Sequence, residues 1–131
     1  MHNFFLRFAA FAGALGVVAG AMLAHQLKKG MPLQALEIFE TAVRYQFYHV
    51  FALLATGFLN ERFPGVRTRQ SGYFFIAGIL LFSGSLYLIS ALISLGKDIP
   101  FIVGILTPLG GVSFILGWIF LGISIGRRTA S

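Results

Sequence analysis

Residues 8–23 read Phe-Ala-Ala-Phe-Ala-Gly-Ala-Leu-Gly-Val-Val-Ala-Gly-Ala-Met-Leu, an apolar run with no charged side chain. A helix crossing about 30 Å of hydrocarbon needs roughly 20 mostly apolar residues, and the flanking residues extend this run to about 4–27. It exceeds the apolar core of a secretory signal. It then passes into His25-Gln26-Leu27-Lys28-Lys29 without a clear small-residue cleavage site, so it is expected to stay as a first helix. Inside it, Ala12, Gly16, Gly20 and Ala24 stand four apart, a stripe of small side chains that lets another backbone approach closely.

Three further stretches of comparable length follow, at about 38–59, 72–95 and 101–126. Gly30-Met31-Pro32, Phe63-Pro64-Gly65 and Gly96 to Pro100 supply the breaks between them. The composition agrees with lipid as solvent, since 57% of the 131 residues are hydrophobic and 11% carry charge. A water-facing domain keeps about a quarter of its residues charged. The fold expected is all-α: a four-transmembrane-helix bundle forming one integral membrane domain over residues 1–131.

Small residues mark the other helices too. The third has Gly78 and Ser85, and a second line of Ala77, Gly84 and Ala91; the fourth has Gly110, Gly111, Gly117 and then Gly122 four before Gly126. Such faces predict a tightly packed interior. Thr107-Pro108 has two readings. Thr107 caps a helix that begins at Pro108, or a helix beginning near Phe101 is kinked at the proline.

The net charge of +6 does not point to nucleic acid, because the basic residues sit at the ends of apolar runs instead of forming one patch. With the N-terminus cytoplasmic, that side holds Arg7, Arg62, Arg67, Arg69, Arg127 and Arg128, and the other side holds Lys28, Lys29 and Lys97. The imbalance places both termini on the cytoplasmic side. The chain has no cysteine, which removes disulfides, thiol nucleophiles and Cys-ligated metal.

The second stretch carries the polar chemistry, in Glu40-Thr41-Ala42-Val43-Arg44-Tyr45-Gln46-Phe47-Tyr48-His49. Ionisable groups in a membrane helix are costly and mark a candidate site. Glu40 and Arg44 form an i,i+4 ion pair with the acid first, Tyr48 follows Arg44 by one turn, and Tyr45 with His49 makes a second i,i+4 pair. Together with His25 and Gln46 these groups are expected to satisfy one another and pin the first helix hairpin. Two alternatives stay open: Arg44, with Lys28 and Lys29, holds a lipid phosphate, or Glu40, His25 and His49 relay protons. In an antiparallel hairpin His49 lies on the order of 10 Å deeper than His25 and faces Gly16 and Gly20. That mismatch argues against a bis-histidine haem, and two separated histidines do not make a metal site, so neither metal nor cofactor is expected.

Gly-Ala-Met-Leu-Ala-His at 20–25, Thr-Ala-Val-Arg-Tyr-Gln-Phe-Tyr-His at 41–49, Gly-Ile-Leu-Leu-Phe-Ser-Gly-Ser-Leu-Tyr at 78–87 and Thr-Pro-Leu-Gly-Gly at 107–111 carry a family resemblance. The chain resembles the small membrane proteins known as domain of unknown function 423, related to the transmembrane protein 256 group of animals. The resemblance implies a four-helix membrane-embedded fold and no particular reaction. Its motif residues here are His25, Arg44, Tyr45, Gln46, His49, Ser83, Gly84, Ser85, Thr107 and Pro108; Met22 stands where the family more often has an aromatic.

The sequence holds no nucleophile–base pair, no paired deep carboxylates and no phosphate-cradling loop followed by lysine, so no catalysis is expected. The expected role is that of an accessory or stabilising subunit of a bacterial inner-membrane assembly. Its expected partners are lipids and other membrane helices, in a homo- or hetero-oligomer. The alternatives are a lipid- or quinone-like amphiphile held at Arg44, Tyr45 and His49, and third, a small oligomeric transporter.

Overall fold

A computed structural model describes residues 2–25 and 29–129, with side chains described over 4–25 and 29–126. Four helices form it: α1 (His2–His25), α2 (Leu33–Arg62), α3 (Val66–Ser94) and α4 (Phe101–Thr129). No strand occurs among the described residues. α3 is α-helical to Gly78, π-helical over Ile79–Ser83 and α-helical again from Gly84. Lys28 lies outside the described residues, and so do the side chains of Arg127 and Arg128.

The helix ends follow from local chemistry. Pro32 takes extended backbone (φ −57°, ψ 150°) at the N-cap of α2, where a missing amide hydrogen does no harm. Pro64-Gly65 separates α2 from α3. α3 closes in a Schellman turn: Gly96 adopts φ +68°, its amide donates to the Ile93 carbonyl, and the Lys97 amide donates to Leu92. α4 runs unbroken through Pro108, which leaves the Gly104 carbonyl without its usual helical donor. A helix starting at Pro108 is therefore set aside. Thr107 is not a cap, and its hydroxyl lies 2.6 Å from that of Ser85.

α1 and α2 pack antiparallel in fixed register: Leu6 against Gly57, Val50 near Gly13, Phe47 against Gly16 and Val43 near Gly20. The N-terminal part of the small-residue stripe of α1 is thus consumed inside the chain. Ala12 and Gly16 are buried, Gly20 is half-buried, and Ala24 is exposed near the helix end. α2 also lies along α3, where Ser83 donates to the Ala42 carbonyl (2.8 Å) and Ser90 to Ala35 (2.7 Å), seven residues apart on both helices. Ser71 makes the matching bond from α3 to Gly117 of α4 (2.8 Å). Interhelical bonds of this kind average about 0.6 kcal/mol. The double variant Ser83→Ala/Ser90→Ala is expected to lose about 1 kcal/mol in a denaturant titration in micelles.

Glycines set the α3–α4 approach. A Cβ at Gly78 would strike the Phe114 ring, one at Gly117 the Phe75 ring (2.7 Å), and one at Gly110 the backbone of Phe82. Gly111 is looser, with only Phe82 at 3.9 Å. Gly57 and Gly72, which the sequence reading did not single out, receive Leu6 and Phe5. Gly84 and Gly122, expected at helix-packing contacts, are exposed, with no side chain or foreign backbone of the described residues within 4 Å.

The outer surface is apolar; Phe11 and Leu15 (both 67% exposed), Phe51 (62%) and Leu80 (60%) face outward. A surface of this kind belongs in lipid. Three segments, Phe4–His25, Val66–Ser94 and Phe101–Gly126, are long and apolar enough to cross a bilayer. α2 is about 45 Å long at 1.5 Å per residue and is flanked by α1 and α3 along its length, but its polar residues lower its hydropathy. The up-and-down course brings Arg7, Arg62, Arg67, Arg69 and the C-terminal end of α4 to one end of the bundle. His25, Lys29, Lys97 and Asp98 stand at the other.

Candidate functional site

The ten residues from Glu40 to His49 do not form one cluster; the turn of α2 sends them to three surroundings. Glu40 and Arg44 face outward and pair at 3.1 Å, with side chains 59% and 49% exposed. An exposed i,i+4 pair contributes little. Arg44→Ala is expected to change unfolding free energy by less than about 0.5 kcal/mol, measured by the same titration.

Gln46 turns inward and is 5% exposed. Its amide Nε2 donates to the Ala12 carbonyl of α1 (2.6 Å), and its Oε1 accepts from the Tyr87 hydroxyl of α3 (2.6 Å). One amide therefore ties three helices, using both of its ends. A groove of about 320 Å³ between α1 and α3 has Gln46, Tyr87 and Ser83 at its floor and Leu15, Leu80 and Gly84 on its sides.

His49 is also buried, at 4% exposure, but it faces α4 and not the glycines of α1. The expected placement beside Gly16 and Gly20 fails because Gln46 and Phe47 occupy that direction of the helix. The His49 ring lies flat on Phe114, with centroids 3.5 Å apart and planes 10° apart. Nδ1 stands 2.7 Å from the Tyr45 carbonyl, so it must carry the hydrogen. Nε2 is then an acceptor, and it receives the indole N–H of Trp118 at 3.2 Å. A cationic imidazole has no lone pair for that indole, so the geometry is that of the neutral ring.

Around this pair the two helices leave an open aromatic groove of about 730 Å³, with Tyr45, Tyr48 and Phe51 on the α2 side and Ile115 and Trp118 on the α4 side. Tyr45 and Tyr48 meet edge-on (5.6 Å), and Tyr45 also packs on Phe82 (4.9 Å). Trp118 went unremarked in the sequence reading. Its signal was available: a lone tryptophan within an apolar span brings an N–H that needs a partner.

His25 sits exposed at the C-terminal end of α1, away from the His49 groove. Among the described residues no three His, Cys, Asp or Glu side chains converge.

These features define a small polytopic membrane protein in which Gln46, His49, Ser71, Ser83 and Ser90 are turned inward onto backbone carbonyls and other side chains. The chain belongs to the family described as Protein of unknown function (DUF423), whose pattern matches residues 19–111, a span that includes Tyr45, Gln46, His49, Ser83 and Tyr87. It is 38% identical to the UPF0382 membrane protein YwdK of Bacillus subtilis over 92% of this chain and 94% of the relative. A UPF0382 membrane protein of Haemophilus influenzae is 36% identical over 92% of both chains. The UPF0382 inner membrane protein YgdD of Escherichia coli is 36% identical over 88% of this chain and 84% of its own. No solved structure matches the chain.

Proposed function

We propose that this protein is a four-span, non-enzymatic subunit that supports a larger assembly in a bacterial inner membrane, with both termini in the cytoplasm. The role rests on Gly84 and Gly122. A glycine inside a helix costs about 1 kcal/mol relative to alanine. At Gly16, Gly72, Gly78, Gly110 and Gly117 that cost is offset by a ring or backbone seated against the missing side chain. At Gly84 and Gly122, as at Gly104, nothing among the described residues takes the space. Both lie on apolar outer faces, where a glycine suits the close approach of another membrane helix.

The four-span topology is supported by α2, whose length and flanking neighbours suit a crossing helix. The sidedness is supported by the arginines gathered at one end, and the location by the Escherichia coli relative, which is named an inner membrane protein. The test is native mass spectrometry of tagged protein extracted gently from its own membrane. Discrete added protein masses are expected, and Gly84→Leu/Gly122→Leu is expected to remove them. Gly16 is unsuitable for this purpose, because Phe47 fills its place within the chain. A chain that carries no other protein overturns the reading, as does an unchanged set of masses in the double variant.

A further inference from the structure

We infer that the α2–α4 groove at His49 and Trp118 is a binding site for an amphiphile whose head is a planar hydroxylated ring, the chemistry of a quinol lipid. The acceptor comes first. The Tyr45 carbonyl holds the hydrogen of His49 on Nδ1, so Nε2 presents a lone pair toward α4 in a fixed direction. Its partner, the Trp118 indole N–H, lies at 3.2 Å, the long limit for such a bond, from a side chain that is half exposed. A ring hydroxyl donates to Nε2 in place of the indole, and the released N–H donates to a second oxygen on the ring.

Shape agrees with that exchange. Aromatic rings flank the groove on both helices, and ring edges and faces favour a flat aromatic guest over a branched or purely alkyl one. Gly111 leaves the α4 side shallow, since a Cβ there would meet only Phe82 at 3.9 Å. Phe51 and Ile115, 62% and 59% exposed, open the groove sideways toward lipid, along which a tail runs. An irregular backbone also borders the groove, since Phe82 belongs to the π-helical turn of α3. π-Turns inside α-helices are frequent at functional sites. The groove holds about 730 Å³, enough for a ring and part of a chain.

Trp118 is the only tryptophan, so its fluorescence reports this groove alone. Purified chain in micelles is titrated with decylubiquinol kept reduced, and in parallel with decanol, which lacks the ring, and decylbenzene, which lacks the hydroxyl. A saturable change in Trp118 emission is expected with the quinol and with neither control. His49→Phe keeps a flat ring without the acceptor and is expected to weaken binding about tenfold, the worth of one hydrogen bond. Gly111→Leu fills the groove from α4, leaves His49 and Trp118 unaltered, and is expected to abolish saturation with helical circular dichroism unchanged. A non-saturating response in the wild type overturns the inference. So does an equal response to decanol or decylbenzene, or wild-type binding in Gly111→Leu. Neither variant touches Gly84 or Gly122, so this site stands or fails separately from the assembly proposed above.

Discussion

Gly110→Ala is expected to destabilise the folded bundle by about 3 kcal/mol. The added Cβ would collide with the backbone of Phe82, whose Cα is 2.7 Å from the new atom. A side chain escapes such a clash by changing rotamer, but backbone does not. Relief requires moving α3 or α4, and with them the Gly78–Phe114 and Phe75–Gly117 contacts further along the same helix pair. Gly104→Ala on the same helix is the internal control, because an added Cβ there meets no side chain or foreign backbone of the described residues within 4 Å. There the better helix propensity of alanine is expected to give up to about 1 kcal/mol of stabilisation. Titration with denaturant in micelles, followed by far-UV circular dichroism and Trp118 emission, measures both. Equal midpoints for the two variants would mean that α3 and α4 do not approach at Gly110.

The second large effect belongs to Gln46. Gln46→Leu removes the bonds to Ala12 and Tyr87 together and leaves the Tyr87 hydroxyl without its acceptor. A loss of about 2 kcal/mol is expected, against about 1 kcal/mol for Tyr87→Phe, which removes one bond and leaves the tie to α1 intact. Because the two residues share a bond, the double variant should lose less than the sum of the singles, with a coupling of about 1 kcal/mol. Strict additivity would show that the amide and the phenol do not act as a unit.

Much of the helix layout can be read from the chain. Apolar runs bounded by Gly30-Met31-Pro32, Pro64-Gly65 and Gly96 to Pro100 mark four helices, because lipid forces every backbone group to be satisfied within its own segment. The ends differ: α2 is helical from Leu33 to Arg62 where hydropathy marks 38–59, and α3 begins at Val66 instead of 72. Hydropathy measures the apolar core of a helix, whereas the hydrogen-bond ladder continues into polar turns beyond it. The i,i+4 pairs Glu40–Arg44 and Tyr45–His49 are also visible in spacing alone.

What spacing does not carry is rotation. Depth along the helix axis brings His49 level with glycines of α1, but its azimuth turns it to α4 and gives the α1 face to Gln46 and Phe47. The π-helical turn at Ile79–Ser83 has no sequence signature, and it shifts every later side chain of α3. For the same reason Gly78 and Gly84, both glycines in apolar surroundings, come to opposite fates: one under the Phe114 ring and one in open space.

Whether α2 crosses the bilayer is the claim on which the four-span topology and the inward-turned polar groups depend. The chain has no cysteine, so single cysteines can be placed at will. Gln34 and Glu61, exposed near the two ends of α2, are suitable positions. Spheroplasts carrying Gln34→Cys or Glu61→Cys are treated with a membrane-impermeant maleimide. Labelling at 34 in intact spheroplasts, and at 61 only after permeabilisation, is the predicted result. Labelling of both positions from the same side would contradict it.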